Sequence, residues 1–389
     1  MGSTAEVKVN RKAAGRIASG HPWIFSSDVV DRGKAAAGDA VRVVDPAGRL
    51  LGTAHYSAAS QITLRLLSRE AVAFDRPFLM ERLRRAADYR SGVVGDNQCY
   101  RLIYSEADLL PGLIVDRYGD YLAVQLLDQG MDAAAALIVE CLTELCAPKG
   151  IVARNDVEVR TREALPRETS VLLGEIPAQV SMRMNGLQWH VDLMGGQKTG
   201  IFLDQRENYQ AAGRWAHGRG LDCFTCTGGF ALHMAARCET VEAVDSSSGA
   251  LATAAQNAAA NGIGNVHWME ANAFDLLAGH DAAGRRFQTI VLDPPAFAKS
   301  RSAVDGAMRG YKEINLRALR LLERDGVLVS CSCSHHVSEA ALFEVIAAAA
   351  LDAGKTLRVL ERRTQALDHP VLLTVAETHY LKCLIFQVV

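Results

Sequence analysis

The pattern of apolar and polar positions divides the chain into three stretches. From Asp39 to Leu67, short apolar runs alternate with turn residues: Ala40-Val41-Arg42-Val43-Val44, the turn Asp45-Pro46-Ala47-Gly48, a run from Leu51 onward, and Ile62-Thr63-Leu64-Arg65-Leu66. Runs of this length bounded by Gly, Pro and Asp predict short strands, here a small β-barrel. Residues 76–90 read as an amphipathic helix rich in Arg. Tyr100 to Leu127 reads as strands broken at Pro111-Gly112 and at Tyr118-Gly119-Asp120. A helix over about Met131 to Cys146 and a strand over Gly150 to Asn155 complete a strand, strand, helix, strand order, which predicts a separate α/β module.

Beyond the turn-rich stretch from Glu163 to Glu168 and a hairpin around Asn185-Gly186, strands and helices alternate. Strands are expected at Gly220–Phe224, Thr240–Asp245, Asn265–Glu270, Thr289–Asp293 and Gly326–Ser332, with helices such as Ser248–Asn261 and Tyr311–Leu322 between them. Repeated β/α alternation predicts a mostly parallel, doubly wound sheet covered on both faces. No internal repeat or low-complexity tract interrupts it.

Length and composition agree with several globular domains. The 389 residues exceed one ordinary core, since domains run to about 100–200 residues. The 49% hydrophobic and 22% charged fractions lie near globular averages. The best apolar run, Ala133 to Val139, stops at Glu140, short of the roughly 18 residues a membrane span requires. Lys8, Arg11 and Lys12 precede no apolar segment, so no signal peptide is expected and a cytoplasmic location follows. The nine cysteines are scattered, several in apolar runs (Cys141, Cys146, Cys238, Cys383), which suits reduced, buried thiols. Cys223 with Cys226, and Cys331 with Cys333, have close spacings, but both pairs end predicted strands and no metal site is expected.

Charge changes the picture when divided along the chain. Residues 1–70 carry ten Lys/Arg (Lys8, Arg11, Lys12, Arg16, Arg32, Lys34, Arg42, Arg49, Arg65, Arg69) against six acids, a balance of +4, so the rest of this −2 chain carries −6. A phosphate backbone would be drawn to the N-terminal stretch. A solvated surface is the competing reading.

The doubly wound stretch holds the candidate chemistry. Thr225-Cys226-Thr227-Gly228-Gly229-Phe230 follows an apolar strand and opens a helix, where such sheets bind nucleotide-like ligands. Asp245, with Ser246 beside it, ends the next strand about 20 residues on, placed to accept from ribose hydroxyls. The third strand ends in Glu270-Ala271-Asn272-Ala273, where a side chain can meet an adenine edge and a backbone amide a ring nitrogen. The fourth ends in Asp293-Pro294-Pro295-Ala296-Phe297. Two prolines cannot continue a ladder, so they fix a stiff lip with Asp293 aimed into the crevice.

The sequence resembles the bacterial large-subunit (23S) ribosomal RNA cytosine-5 methyltransferases over nearly its whole length. The residues that carry the likeness are His21-Pro22-Trp23-Ile24-Phe25-Ser26, Gln197-Lys198-Thr199-Gly200 to Leu203-Asp204-Gln205-Arg206, Cys223-Phe224 with Thr227-Gly228-Gly229-Phe230, Asp293-Pro294-Pro295 with Phe297, Gly310-Tyr311-Lys312, Ser332-Cys333-Ser334, and Asp368-His369-Pro370-Val371. The resemblance implies a PUA-like RNA-binding domain over 1–70, a central α/β domain over 71–185 and a Rossmann-like class I methyltransferase domain over 186–389. It also implies S-adenosyl-L-methionine lying against Phe224, Thr227, Gly228, Gly229, Asp245, Ser246, Asn272, Ala273 and Asp293, with Asp204 and Arg206 closing over its methionine end. Asn272 stands where the family often has aspartate; its amide oxygen could still accept from the adenine amine.

Carbon 5 of cytosine is too weak a nucleophile to attack a methyl sulfonium directly, so a thiolate must first add to C6. By resemblance Cys333 is that nucleophile, and Asp293 would hydrogen-bond the cytosine ring at N3 or its amine. Cys331, two residues earlier, is expected in the core. Many RNA cytosine-5 methyltransferases carry a second cysteine after the aspartate-proline loop; here Ala296 and Phe297 stand there. The base for the C5 proton is therefore open between water, Glu313 and His335-His336. Phe297 or Tyr311 could stack on a base taken out of its helix, and Lys299, Arg301, Arg309 and Lys312 would meet phosphates.

Two further readings remain. The same fold could methylate an exocyclic amine of guanine or adenine, which requires no cysteine; or the chain could be a ribosome-assembly factor that binds S-adenosylmethionine or RNA without turnover. A dinucleotide-dependent oxidoreductase lacks support, because the loop has no spaced three-glycine fingerprint. Large-subunit ribosomal RNA is the expected partner, and a homodimer stays open.

Overall fold

Residues 5–196, 199–298 and 303–389 are described by a computed structural model, and they gather into two units. One comprises Met1–Met182, Val191–Ile201 and Leu367–Thr378; the other comprises Arg183–His190, Phe202–Ala366 and His379–Val389. No helix among the described residues is long and apolar enough to cross a membrane.

The first unit holds two sheets. A six-stranded sheet runs in the order Trp23–Phe25, Ile62–Ser68, Leu50–Tyr56, Ala40–Val44, Glu6–Val9, Val29–Asp31. Its pairs are antiparallel except Glu6–Val9 with Ala40–Val44. Alternation sends Val7, Val9, Val41, Val43 and Leu64 into one core. The turn at Asp45 is closed by its carboxylate, which accepts from the amides of Ala47 (2.8 Å) and Arg49 (2.9 Å), the Asx geometry its sequence favours. A five-stranded sheet follows in the order Thr169–Gly174, Gly150–Arg154, Tyr121–Leu126, Leu113–Tyr118, Cys99–Tyr104. The Arg-rich helix extends over Arg76–Val93, capped by Asp75. The helix expected over Met131–Cys146 is instead two, Gln129–Ala133 and Ala135–Cys146. Its first segment begins earlier because Asp128 caps it, accepting from the Met131 amide.

Several N-terminal cations are engaged within this unit. Arg16 pairs with Asp28 and Arg49 with Asp45. Arg65 is buried and pairs with buried Glu163 at 2.7 Å. Exposed cations remain at Arg11, Lys12, Arg32, Lys34 and Arg42.

The second unit is built on a seven-stranded sheet whose strands we number β1 (Gly218–Cys223), β2 (Cys238–Asp245), β3 (Val266–Glu270), β4 (Phe287–Leu292), β5 (Leu322–Ser332), β6 (Leu357–Arg363) and β7 (Lys382–Val388). Their order is β3-β2-β1-β4-β5-β7-β6. The first five are parallel; β7 runs antiparallel to both β5 and β6. Covering helices are α1 (Arg206–Trp215), α2 (Gly229–Ala235), α3 (Ser248–Ala260), α4 (Ala273–Ala282), α5 (Val304–Leu321) and α6 (Glu339–Asp352). Their caps were written locally: Ser247, Asn272 and Ser338 each accept from the first-turn amides of α3, α4 and α6. Central strands are near-continuous apolar runs, as burial on both faces requires. Leu221, Ile290, Leu292 and Leu328 pack with Tyr311, Ile314 and Leu342 in one core. The hairpin at Asn185-Gly186 has φ of 54° and 79° at its two turn residues, the left-handed pair that favours Asn-Gly.

Arg65→Ala is expected to strand the Glu163 carboxylate in the interior. It should cost about 3–5 kcal/mol of stability, read as a lowered urea midpoint, whereas Arg49→Ala on the exposed turn should shift it little.

Candidate active site

The carboxyl edge of the second unit's sheet assembles from three loops. The first leaves β1 at Cys223. Phe224 and Cys226 adopt left-handed backbone (φ 67° and 49°), a strained geometry for side-chain-bearing residues that clusters at functional sites. The Thr225 amide donates to the Val244 carbonyl at 2.9 Å. The Asp245 carboxylate, at the end of β2, accepts from the Cys226 amide with one oxygen and the Ser247 amide with the other, both at 2.9 Å. Asp245 therefore ties the β1 loop to the start of α3, and each oxygen keeps a lone pair for another donor. Ser246 beside it is exposed.

The two glycines of this loop also have a packing reason. Gly228 has φ of 90°, and a Cβ there would lie 3.1 Å from Trp268; one on Gly229 would lie 2.3 Å from the Tyr209 ring. Thr227 is half-buried, its carbonyl accepting from Asn257 at 3.3 Å. Under the loop, His233 Nδ1–H donates to the Gly229 carbonyl at 2.7 Å, and its Nε2 meets the Asn185 amide at 3.1 Å. Burial pushes this imidazole down to about 4, so the ring is neutral and Nε2 accepts.

Asp222, on β1, is fully buried. It accepts from Thr225 Oγ1 (2.6 Å) and the Ala231 amide (2.9 Å) through one oxygen, while the other has no partner among the described residues. Burial, aided by like charge from Asp293 and Asp245, pushes it up to about 7. Burial likewise raises Cys226 to about 11 and carries Cys223 further up, so both are thiols near neutrality.

The second loop leaves β4. Asp293 is half-buried and its Oδ1 accepts from Gln205 Nε2 at 3.0 Å. Gln205 belongs to the short turn Leu203–Gln205. The flanking Asp204 and Arg206 are both buried; Asp204 accepts from the Tyr380 hydroxyl at 2.5 Å. Gln205 has no predicted role in the sequence reading, although it lies inside the matching motif; its partner across the edge is a tertiary fact.

The third loop leaves β5 with Ser332-Cys333-Ser334. Because β4 and β5 pair with Leu292 opposite Ser330, Asp293 and Cys333 emerge from neighbouring strands at the same edge. Cys333 is half-buried, whereas Cys331 is fully buried opposite Cys383, a core position.

Other expected residues take different places. Tyr311 is not available to stack on a base: it is fully buried, and its hydroxyl sits 2.9 Å from Ser332 Oγ and 3.1 Å from Ser334 Oγ. A buried phenol requires such partners, and here they bracket Cys333. Phe297 is half-buried, packed 4.7 Å from the Tyr311 ring. Lys312 Nζ pairs with Asp352 at 2.7 Å, at the end of α6 remote from the carboxyl edge, so it does not reach for phosphates there. Asn272 Oδ1, expected to accept from an adenine amine, already caps α4 through the amides of Phe274 (2.9 Å) and Asp275 (3.3 Å). Ala273 is buried in the first turn of that helix. Glu313 is paired with Arg317, and His335 and His336 are exposed in the turn before α6. Lys299 and Arg301, like Gln197 and Lys198, lie outside the described residues.

Comparison with known proteins bears on this edge. Residues 135–387 match the family described as S-adenosylmethionine-dependent methyltransferase, and residues 7–69 a PUA-like domain. The chain belongs to the S-adenosylmethionine-dependent methyltransferases. The methyltransferase is 41% identical over 377 residues to the ribosomal RNA large subunit methyltransferase I of Shewanella amazonensis, covering 95% of each chain. It is 39% identical over 379 residues to that of Tolumonas auensis, covering 95% and 96%. In fold it is similar to a solved chain from Streptococcus mutans described as a SAM-dependent methyltransferase, with a TM-score of 0.83 and 20% identity, covering 99% of this chain and all of that one. S-adenosylmethionine is thus the methyl donor of this methyltransferase. The chain's own residues fit it: strained backbone at Phe224 and Cys226, with Asp245 on one side and Asp293 on the other, forms the edge where such sheets receive a nucleoside.

The raised Asp222 carboxyl has a readable consequence. Its proton is lost near pH 4 on unfolding and near pH 7 in the fold, so stability falls as pH rises from 4 to 7 and then levels. Asp222→Asn should flatten that part of the profile, checked by thermal melts between pH 4.5 and 8; the same slope in both proteins would remove Asp222 as its cause.

Proposed function

We propose that this methyltransferase forms 5-methylcytidine in large-subunit ribosomal RNA, with Cys333 as nucleophile and Asp293 as the group that holds the base. The placement of half-buried Cys333 beside Asp293 at the carboxyl edge carries this reading, and the names of the relatives support the RNA class. The likeness of residues 7–69 to PUA-like domains supports a three-part division, with RNA gripped over 1–70, a central domain over 71–185 and catalysis over 186–389. The exposed cations Arg11, Lys12, Arg32, Lys34 and Arg42 would meet phosphates and position the RNA without reading its sequence.

Bound S-adenosylmethionine supplies an electrophilic methyl on a positively charged sulfur. Cys333 prepares the other partner: its thiolate adds to C6, a C–S bond forms, and the electron pair of the C5–C6 double bond becomes available at C5. Asp293, if it accepts from the cytosine amine, holds the ring flat against the edge; if protonated, it donates to N3 as the ring gains charge. Once C5 is methylated, loss of its proton restores the double bond and expels the Cys333 thiolate. With Glu313 already paired to Arg317, water or the exposed His335 is the base this edge offers. Asp204, Gln205 and Arg206 fix the near wall, and Gln205 orients Asp293 directly. Phe297 is the remaining aromatic at the lip on which an extruded base could rest.

Labelled methyl transfer to large-subunit ribosomal RNA, followed by nucleoside analysis, tests this. Wild type should yield 5-methylcytidine and Cys333→Ala none, a loss of at least about a thousandfold; label on an exocyclic amine, or an active Cys333→Ala, would replace the thiolate chemistry by amine methylation. Neutralising Arg32, Lys34 and Arg42 together should weaken RNA binding and reduce its salt dependence, while leaving S-adenosylmethionine binding unchanged.

A further inference from the structure

Strand β7 is an apolar run, Cys383-Leu384-Ile385-Phe386, that opens with a lysine. Lys382 is only 4% exposed and stands opposite Ser332 of β5. Its Nζ donates to the Ser334 carbonyl and the Tyr380 carbonyl, each at 2.7 Å. Among the described residues no carboxylate lies within ion-pair distance of it. A buried ammonium is costly unless it is paired, and an apolar residue would continue the strand at no such cost. Burial pushes Lys382 down to about 8, while Cys333 first, and Glu339 after it, pull in the opposite direction.

The geometry points to Lys382 as a positioning residue for Cys333: fixed on the carbonyl of the very next residue, its ammonium stabilises the thiolate and holds the turn that presents it. This rests on the reading of Cys333 as nucleophile. Near pH 7 the lysine, held at about 8, carries its proton for the most part and keeps it while the thiol proton goes to solvent, so no proton passes between the two. The groups set around the pair are Glu339 at the start of α6, the Tyr311 phenol from α5, Cys331 and Cys383 in the two strands, Asp293 from the β4 loop, and His335, whose ring lies 5.4 Å from Tyr380. Among these described groups only His335 can become positive, and only when protonated, so Lys382 supplies a cation near neutral pH. The carboxylates oppose the thiolate; the ammonium offsets them. Cations beside a thiol are the usual means of making it reactive near neutral pH.

Alkylation of the full chain with iodoacetamide across pH 6–9, with Cys333 followed by peptide mass spectrometry, reads the thiolate directly and needs no RNA. In Lys382→Met the Cys333 profile should move to higher pH and the rate at pH 7 should fall about tenfold; Lys382→Arg should restore most of it. The acid limb of the methyl-transfer rate should move by the same amount. Should Lys382→Met fail to fold, Lys382→Gln, whose amide still donates to carbonyls but carries no charge, makes the same comparison. An alkylation profile unchanged in a folded, uncharged variant overturns the inference. Cys333→Ala separates the two readings: if it methylates normally, the nucleophile falls and the catalytic meaning of Lys382 with it, whereas an unshifted profile removes the lysine's role alone.

Discussion

Because β1, β4 and β5 pair in parallel with one fixed register, Asp222 opposite Val291 and Leu292 opposite Ser330, three chain ends must leave the sheet at the same edge. Parallel strands buried on both faces admit no slip, since moving one residue would turn every side chain over. The loops that follow can then be short and still converge. Asp245 joins the first loop to β2, Gln205 bridges to Asp293, and the Tyr311 phenol braces the serines on either side of Cys333. The hydrogen bonds of Tyr311 are buried, so their loss would leave polar atoms stranded, while those of Asp245 and Asp293 are partly buried.

The same edge concentrates acidic groups. Asp222, Asp245 and Asp293 act on one another, and the innermost keeps its proton to about pH 7. Crowded carboxylates would discourage a thiolate, yet the opposite flank is closed by a lysine whose ammonium is caged by carbonyls. Opposed charges on the two sides of β4 and β5 give the site a polarity that neither strand carries alone.

Much of this was legible from residue order. Every predicted strand of the parallel sheet lies within a few residues of its observed place, because burial on both faces leaves long apolar runs between glycine and proline signals. The Asn185-Gly186 turn follows from local chemistry. The antiparallel pair β6 and β7 was not anticipated: Leu-Arg-Val-Leu-Glu-Arg-Arg at 357–363 is an edge strand whose charges hide its period. Roles set by tertiary contact escaped as well. Tyr311 reads as an aromatic near a lip, but burial makes it a brace; Lys312 reads as a phosphate contact, but Asp352 holds it; Asn272 reads as an adenine contact, but its oxygen caps a helix. In each case a polar atom found a nearer partner than the ligand imagined for it.

The chain does not visit its two units in turn. It enters the second at Arg183, returns for Val191–Ile201, leaves again for Leu367–Thr378 and finishes as β7. A gene cut anywhere near residue 186 would deliver the second sheet together with two strips of foreign core, among them buried Leu193 and Val375, deprived of the surroundings that cover them. The chain crosses between its units several times rather than once, so neither unit is a contiguous stretch that could be taken out by a single cut.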